Sequence, residues 1–457
     1  MSDNNKGDKS PKKNELNKIK SSLFERSLSV AKIGLNAGLK YAAHKASGKN
    51  LDQFMIHQAS FLTQELGQLK GSLMKAGQML SMYGEYFFPP QANEFLKKLQ
   101  TDSPPLEWSV MKTNIENYLS PDLLDELEID PVSIGSASMG QVHKAKIKST
   151  GEKIVLKIQY PNLEQAIDSD IKALKTLLNF SKLIPSELNL DPIFEEIKLM
   201  LRQELNYETE AQLTLKYREM IKDDSRFKVP QVFLKYSNQK VLATEYLEGF
   251  KADHPMIQAL SQPRRDRLAE NFIDLYFKEL FSWNLVQTDP HLGNYKIQID
   301  PLGQDKLILL DFGACSQFSE SFIKSYRGMI KGSIIFDRDL FLKSSAELGF
   351  INSTDSKEYL QAFESFCYET VEPFWSYSDP RNTDQKISPD GKYHWKNNDL
   401  PARVVKKAYQ FKNFDLRTPP KDILFLDRKT GGVFIFLSVL KAHINARKIV
   451  DPYLNSV

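Results

Sequence analysis

Cysteine is nearly absent. Cys315 and Cys367 are the two in 457 residues, far apart, which excludes a disulfide framework or a cysteine zinc site and suits a reducing compartment. Histidine is also scarce: the seven are scattered, with no pair at metal-ligand spacing. An excess of one charge is lacking too, because 61 Lys and Arg against 58 Asp and Glu leave a net of +3. That balance supplies no uniform basic field for a nucleic acid. Nor does any apolar run approach the ~20 residues that span a bilayer. The best candidate, Val433 to Leu440, is too short and is flanked by Arg428, Lys429 and Lys441. The amino-terminal stretch lacks the apolar core of a secretory signal, and Asp3, Asp8 and Glu15 fit a mitochondrial transit peptide poorly. The length that remains suffices for a two-lobed enzyme with an extension.

The pattern along the chain divides it. Residues 1–22 form a polar, charged tail with almost nothing to bury, read as disordered. From 23 to 130 the periodicity is helical. Phe24, Leu28, Ala31, Leu35, Leu39 and Ala42 make a stripe opposite Lys32, Asn36 and Lys40. A basic amphipathic helix over 23–45 suits an anionic membrane surface and equally suits docking on its own domain. Around residue 131 the period becomes strand-like. Val142 to Ile147 and Ile154 to Ile158 flank the turn Ser149-Thr150-Gly151-Glu152 and predict a hairpin. Helices are predicted at about 163–182 and 191–221, then strands at Val232 to Leu234 and Val241 to Leu247. Residues 251–457 read as mostly helical after Asp311, apart from a Pro/Asp/Asn-rich surface loop at about 376–401. The fold class is therefore α+β and bilobal, a small antiparallel β lobe over 131–250 and a large helical lobe over 251–457, the lobe order that a protein-kinase-like fold has.

The chemistry lies in Asp289-Pro290-His291-Leu292-Gly293-Asn294, followed about twenty residues on by Asp311-Phe312-Gly313. Phosphoryl transfer from ATP uses one carboxylate to position or deprotonate the nucleophile. An amide oxygen and a second carboxylate hold Mg²⁺ on the phosphates. Asp289 takes the first role, Asn294 and Asp311 the second. Gln287-Thr288 stands where kinases carry His-Arg. Upstream, Gly135-Ser136-Ala137-Ser138-Met139-Gly140-Gln141-Val142 fits the kinase Gly-rich loop, with Ala137 at the second Gly position. Glycines there let backbone N–H groups close on phosphates, and the Ala137 methyl restricts that approach. Lys157, on the strand that follows, matches the lysine that contacts the α/β-phosphates. Such a lysine needs a helical carboxylate. Glu204 and Glu210 are the candidates, almost two turns apart near one face of one predicted helix, with Glu208 left to solvent. Glu245, Tyr246 and Leu247 fall where a hinge strand ends and backbone groups pair with adenine.

These residues resemble the UbiB (AarF/ADCK) family of atypical kinase-like proteins, which support ubiquinone (coenzyme Q) biosynthesis. The resemblance rests on Lys75-Ala76-Gly77-Gln78 (the KxGQ hallmark), the Ala-containing loop, Leu156 to Pro161, Glu204 to Ala211, Asp289 to Asn294 and Asp311 to Gly313. It runs from about residue 25 to near the C-terminus. Pro419-Pro420 and Arg428-Lys429-Thr430-Gly431-Gly432 look like the coenzyme-Q branch. It implies that Lys75 and Gln78, on a helix before the kinase core, cover the place where a protein kinase accepts its peptide. It further implies that Glu204 pairs with Lys75 and Glu210 with Lys157. Asn206 stands where many members have an acid, Leu292 replaces the usual Pro, and no transmembrane pair follows the core.

The resulting expectation is an ATP- and Mg²⁺-dependent ATPase or kinase, acting on a small molecule, a lipid intermediate or water. Its expected partners are the nucleotide, an anionic membrane surface and ubiquinone-biosynthesis enzymes, with oligomeric state open and nucleic acid excluded. Its expected location is cytoplasmic or peripheral on an inner membrane, on the matrix side in a eukaryote. Two alternatives stand beside it: a nucleotide-gated scaffold without turnover, and a true protein kinase. Gln287-Thr288, the Lys75 cover and the lack of a recognisable activation segment after Gly313 weigh against the last.

Overall fold

The structure, a computed structural model, describes residues 71–87, 96, 105–136, 139–181, 190–396, 398–408 and 421–455. The polar tail, the helix expected over 23–45, loop residues Ala137 and Ser138, and Pro419-Pro420 lie outside the described residues. Two compact units emerge, one built from residues up to Gln212 together with Gln231–Tyr246, the other from Leu213–Pro230 and Leu247–Val457.

The first unit is organised around a four-stranded antiparallel sheet. Three strands follow one another: β1 (Leu127–Ser136), β2 (Gly140–Ile147) and β3 (Lys153–Gln159). Strand β4 (Phe227–Lys228) belongs to the second unit, and β5 (Val241–Glu245) completes the sheet in the order β1-β2-β3-β5. The β2–β3 hairpin follows from period-two burial. Ile154, Leu156 and Ile158 are fully buried, while Lys153, Val155 and Lys157 alternate with them. Gly151 closes the turn at φ +78°, a left-handed conformation in which its N–H reaches the Ile147 carbonyl at 2.8 Å. Edge strand β1 tolerates Pro131, which has no N–H to give, at the cost of register shifts between Ile129 and Gly135.

Helices α1 (Ser72–Phe87), α2 (Trp108–Tyr118), α3 (Leu163–Ser181) and α4 (Asp191–Glu204) accompany this sheet, and α1, α3 and α4 pack on one another. Ser72, the first residue of α1, hydrogen bonds to buried Asp170 of α3.

The single helix expected over 191–221 is two. Helix α4 ends at Glu204 and α5 (Tyr207–Met220) begins three residues later. Asn206 is the reason: its side-chain oxygen accepts from the amides of Glu208 at 3.1 Å and Thr209 at 3.4 Å, satisfying N–H groups that a continuous helix would satisfy with carbonyls. The strand expected at Val232 to Leu234 also fails to form. Val232 makes one isolated bridge to Thr244, and Leu234–Tyr236 is a 3₁₀ turn.

The second unit has a helical core around α6 (Gln262–Phe281), whose inner face buries Leu268, Phe272, Leu275, Tyr276 and Leu280. Two small ladders lie beside it. Strand β6 (Leu285–Gln287) pairs with β9 (Cys315–Gln317), while β7 (Tyr295–Gln298) and β4 flank β8 (Lys306–Leu309). Helices α7 (Glu320–Ile335), α8 (Arg338–Glu347), α9 (Lys357–Thr370), α10 (Leu400–Ala408), α11 (Lys421–Val439) and α12 (Ala446–Asn455) complete it, with α11 and α12 packed on α6. The stretch at 376–401 is more than a surface loop. Ile387, Tyr393 and Trp395 are buried in the core, and β10 (Tyr393–His394) pairs with β11 (His443–Ile444). Among the described residues, no helix is long and apolar enough to cross a membrane.

Candidate functional site: two ion pairs and an arginine-held loop

In the first unit two lysines find two glutamates. Lys75 of α1 meets Glu204, the last residue of α4, at 2.8 Å; Lys157 of β3 meets Glu210 of α5, also at 2.8 Å. Because Asn206 starts a new helix, the two glutamates do not share a face. Each turns to its own lysine, and Glu208 is exposed. Lys75 and Glu210 are almost completely buried. Each pair thus holds a buried charge against an opposite one, the arrangement in which loss of a partner is costly. Lys157 donates to both oxygens of Glu210, at 2.8 and 2.9 Å, and lies 5.1 Å from the Tyr207 ring centre. Gln78 is half-buried one turn beyond Lys75, and its carbonyl accepts from Ser81.

The Gly-rich loop is the end of a strand pair. Gly135 and Ser136 close β1 opposite Val142 and Gln141 of β2. Gly140 must be glycine: a Cβ there would lie 2.6 Å from the Ile158 carbonyl and 2.7 Å from the Tyr207 hydroxyl. Met139 is buried and its carbonyl accepts from the Tyr160 amide, while the Ser136 and Tyr160 hydroxyls hydrogen bond to each other at 2.9 Å. The Gln141 side chain is committed elsewhere, exchanging hydrogen bonds with the backbone of Leu106. Gln141 therefore offers a ligand its backbone only. At the hinge, the Glu245 and Tyr246 amides donate to the carbonyls of Gln231 and Lys153. Those two N–H groups are consequently not adenine donors.

In the second unit Asp289 follows β6, and a 3₁₀ turn at Leu292–Asn294 leads into β7. Two side-chain amides hold the Asp289 carbonyl, Gln287 at 2.6 Å and Asn294 at 3.0 Å. Since the Asn294 nitrogen donates there, its amide oxygen is the atom for a metal. The Asn294 carbonyl accepts from the Leu310 amide, which brings Asn294 beside Asp311. Asp311 accepts from the Gly313 amide at 3.0 Å, and Phe312 is buried 4.6 Å from the Tyr217 ring. No group of three or more His, Cys, Asp or Glu side chains among the described residues could hold a metal. One amide oxygen and one carboxylate instead suit Mg²⁺, which keeps waters and takes further ligands from phosphates.

The structure adds residues to which sequence reasoning assigned no role. Arg428 of α11 meets the Asp289 carboxylate at 2.8 Å. Lys429, its neighbour, is buried against Glu279 of α6 at 2.9 Å, with the Gln287 side-chain oxygen at 3.4 Å and the Tyr295 hydroxyl at 3.3 Å. Burial by itself would push the Lys429 ammonium down; the Glu279 carboxylate and Tyr295 reverse this and hold it above its ordinary range. Two signals pointed this way. Gln287-Thr288 leaves the catalytic loop without its usual cation, and Gly431-Gly432 inside an apolar helix implies close approach by another chain segment.

Strand-borne lysine with helical glutamate, Asp-x₄-Asn loop and Asp-Phe-Gly turn define the class, a kinase-like protein. The model of the ABC1 atypical kinase-like domain matches residues 98–345, and the chain belongs to that family. Among its relatives is "Atypical kinase COQ8, mitochondrial" of Saccharomyces cerevisiae, 27% identical over 435 residues, covering 94% of this chain and 83% of the yeast protein. "Atypical kinase coq-8, mitochondrial" of Caenorhabditis elegans is 29% identical over 410 residues, 87% of this chain but 52% of the worm protein. A solved structure, the Rv3197–erythromycin complex of Mycobacterium tuberculosis, shares the fold at TM-score 0.57 and 24% identity, covering 88% of this chain and 96% of that one.

Proposed function

We propose that the protein binds Mg²⁺-ATP and transfers its γ-phosphoryl group to a small molecule, a lipid intermediate or water, in support of ubiquinone or related isoprenoid-lipid biosynthesis. The observation that carries this reading is that the phosphoryl-transfer inventory is held in place: Lys157 pairs with Glu210, a backbone hydrogen bond from Leu310 brings Asn294 next to Asp311, and Asp289 is held at both backbone and side chain. Lys157 contacts the α/β-phosphates, and Asn294 and Asp311 hold the metal. When bound, Mg²⁺ offsets negative charge on the phosphates. Asp289 receives the acceptor's proton as the acceptor oxygen bonds to phosphorus and the bond to the ADP oxygen breaks, so charge and atoms balance.

The pathway is taken from the likeness to the UbiB family, and the named relatives of yeast and worm are mitochondrial atypical kinases. The inner mitochondrial membrane, approached from the matrix, is the proposed site of action in a eukaryote. The family likeness implies that Lys75 and Gln78 cover the place where a protein kinase accepts its peptide, which makes protein-kinase activity the weaker alternative.

The test pairs two variants of the whole chain. Asp311→Asn should abolish stabilisation by Mg²⁺-ATP in a thermal-shift measurement; unchanged stabilisation would remove the metal role. Asp289→Asn should keep nucleotide binding and lose roughly 10²–10⁴-fold in turnover. A wild-type protein that binds ATP but never hydrolyses it, even with anionic liposomes and quinone-precursor phenols present, would favour the nucleotide-gated scaffold.

A further inference from the structure

Kinase catalytic loops carry a cation immediately before the catalytic Asp, and this loop carries Gln287-Thr288 there instead. A positive group nevertheless meets Asp289, delivered from a helix 139 residues further along the chain. Resting on the reading of Asp289 as proton acceptor, we propose that Arg428 is the positioning residue for its carboxylate, and that Lys429, Glu279 and Gly432 fix Arg428 in place.

The geometry of α11 carries the argument. Arg428 and Gly432 are four residues apart and share a helix face. They meet consecutive loop residues, Asp289 and Pro290. Arg428 Nη2 lies 2.8 Å from Asp289 Oδ1. A Cβ at Gly432 would lie 2.1 Å from Pro290 Cβ and 3.2 Å from its carbonyl oxygen, so the helix reaches the loop there only as glycine. Gly431 has no neighbour at such distances, which ties the requirement to one of the two glycines.

Lys429 points elsewhere, since neighbouring helical residues diverge by about 100°. Its side chain and that of Glu279 are each only 2% exposed. It also reaches Gln287 and Tyr295, the residues that open and follow the loop. The Tyr276 and Thr430 hydroxyls, 2.7 Å apart, pin α11 to α6 a second time. Arg428 thus stands on a rigid support while the Asp289 backbone is gripped by Gln287 and Asn294. Arg428 acts on the carboxylate itself: a charge-assisted hydrogen bond to Oδ1 restrains its rotation, and correct aim of a catalytic group is worth orders of magnitude in rate.

The experiment uses the full chain with Mg²⁺-ATP. Arg428→Ala is expected to lower kcat by about 10²-fold while KM for ATP stays within a few-fold. Arg428→Lys should recover only part of the loss, because a point charge does not reproduce a planar fork. Guanidinium ion at non-denaturing concentration should restore turnover to Arg428→Ala, an effect a purely structural arginine would not show. Hydrogen exchange over 285–295, read by mass spectrometry, should quicken in Arg428→Ala and quicken further in Gly432→Ala.

Outcomes separate this proposal from the function it builds on. Wild-type kcat in Arg428→Ala, alongside a crippled Asp289→Asn, overturns the positioning role and leaves the phosphotransferase reading intact. If wild type and Asp289→Asn turn over alike, the role of Asp289 fails. Hydrogen exchange then still decides whether Arg428 holds the loop: unchanged exchange rejects it.

Discussion

The two units solve the problem of placing charge in opposite ways. In the first unit the acids come from neighbouring helix ends, and the short stretch from Glu204 to Glu210 serves two lysines, Lys75 and Lys157. In the second unit one side of each pair sits near the loop, while the cations, Arg428 and Lys429, arrive from α11. The first arrangement is local enough for a turn to set it, with Asn206 deciding where one helix stops and the next begins. The second depends on tertiary packing of α11 against α6. Loss of a single residue should therefore act differently in the two places: on individual pairs in the first unit, on a whole supporting surface in the second.

The largest expected effect tests that contrast directly. Lys429→Met leaves the Glu279 carboxyl buried without its lysine, a loss that typically costs about 3–5 kcal/mol. Burial already pushes the Glu279 carboxyl up against the pull of Lys429, so it should take up a proton once the lysine is gone. A melting transition for Lys429→Met within a degree of wild type would show that the pair supports nothing. Adding Glu279→Leu to Lys429→Met should return part of the stability without returning turnover. A smaller loss, about 1–3 kcal/mol, is expected for Gly432→Ala, where a methyl group is forced onto Pro290. Chemical denaturation would measure it, and Gly431→Ala, with open space around it, is the control that should match or exceed wild type.

The candidate site was more legible in the sequence than its support. Asp289 to Asn294 and Asp311 to Gly313 are short runs whose roles depend on local spacing, and Lys157 lies on a strand whose alternation is plain in Ile154, Leu156 and Ile158. The α+β lobe order followed from the periodicities, and its kinase likeness from those short runs. The helix break at Asn206 was not legible, because both flanks are good helices and asparagine in such a run is ambiguous until its side chain is seen capping. Val232 to Leu234 looked like a strand because β-branched and aromatic residues suit one, yet a single bridge to Thr244 is all it forms. Arg428 was hidden for a different reason. Periodicity shows that a helix has an apolar face, but not which loop that face meets 139 residues earlier in the chain. The stretch at 376–401 was misjudged by composition: its Pro, Asp and Asn outnumber Ile387, Tyr393 and Trp395, but those three decide where it goes.

A contrast of smaller size concerns acid. In the second unit the Arg226 guanidinium, with Lys278 behind it, holds the Asp224 carboxyl well below the usual carboxylate range despite partial burial. A depressed carboxyl contributes stability that is present above its unfolded value near 3.8 and is lost as pH falls toward the folded value. Asp224→Asn should thus cost about 1–2 kcal/mol at neutral pH, given partial exposure of the cluster. The difference from wild type should shrink steadily below about pH 4. A difference that stays constant from pH 7 to pH 3 would mean that the carboxyl's charge plays no part.

The smallest effect belongs to the first unit and probes the helix break itself. Asn206→Ala removes the oxygen that accepts from Glu208 and Thr209, a loss worth about 1 kcal/mol. Asn206→Asp restores an acceptor and adds a charge that favours a helix N-terminus, so it should equal or exceed wild type in stability. It also adds a carboxylate two residues after Glu204, at the position where the family resemblance implies an acid. If the asparagine is there only to cap, the Asn206→Asp variant leaves the Mg²⁺ requirement of turnover unchanged. A lower Mg²⁺ concentration at half-maximal turnover in that variant would instead show that a carboxylate at this position takes part in the metal requirement.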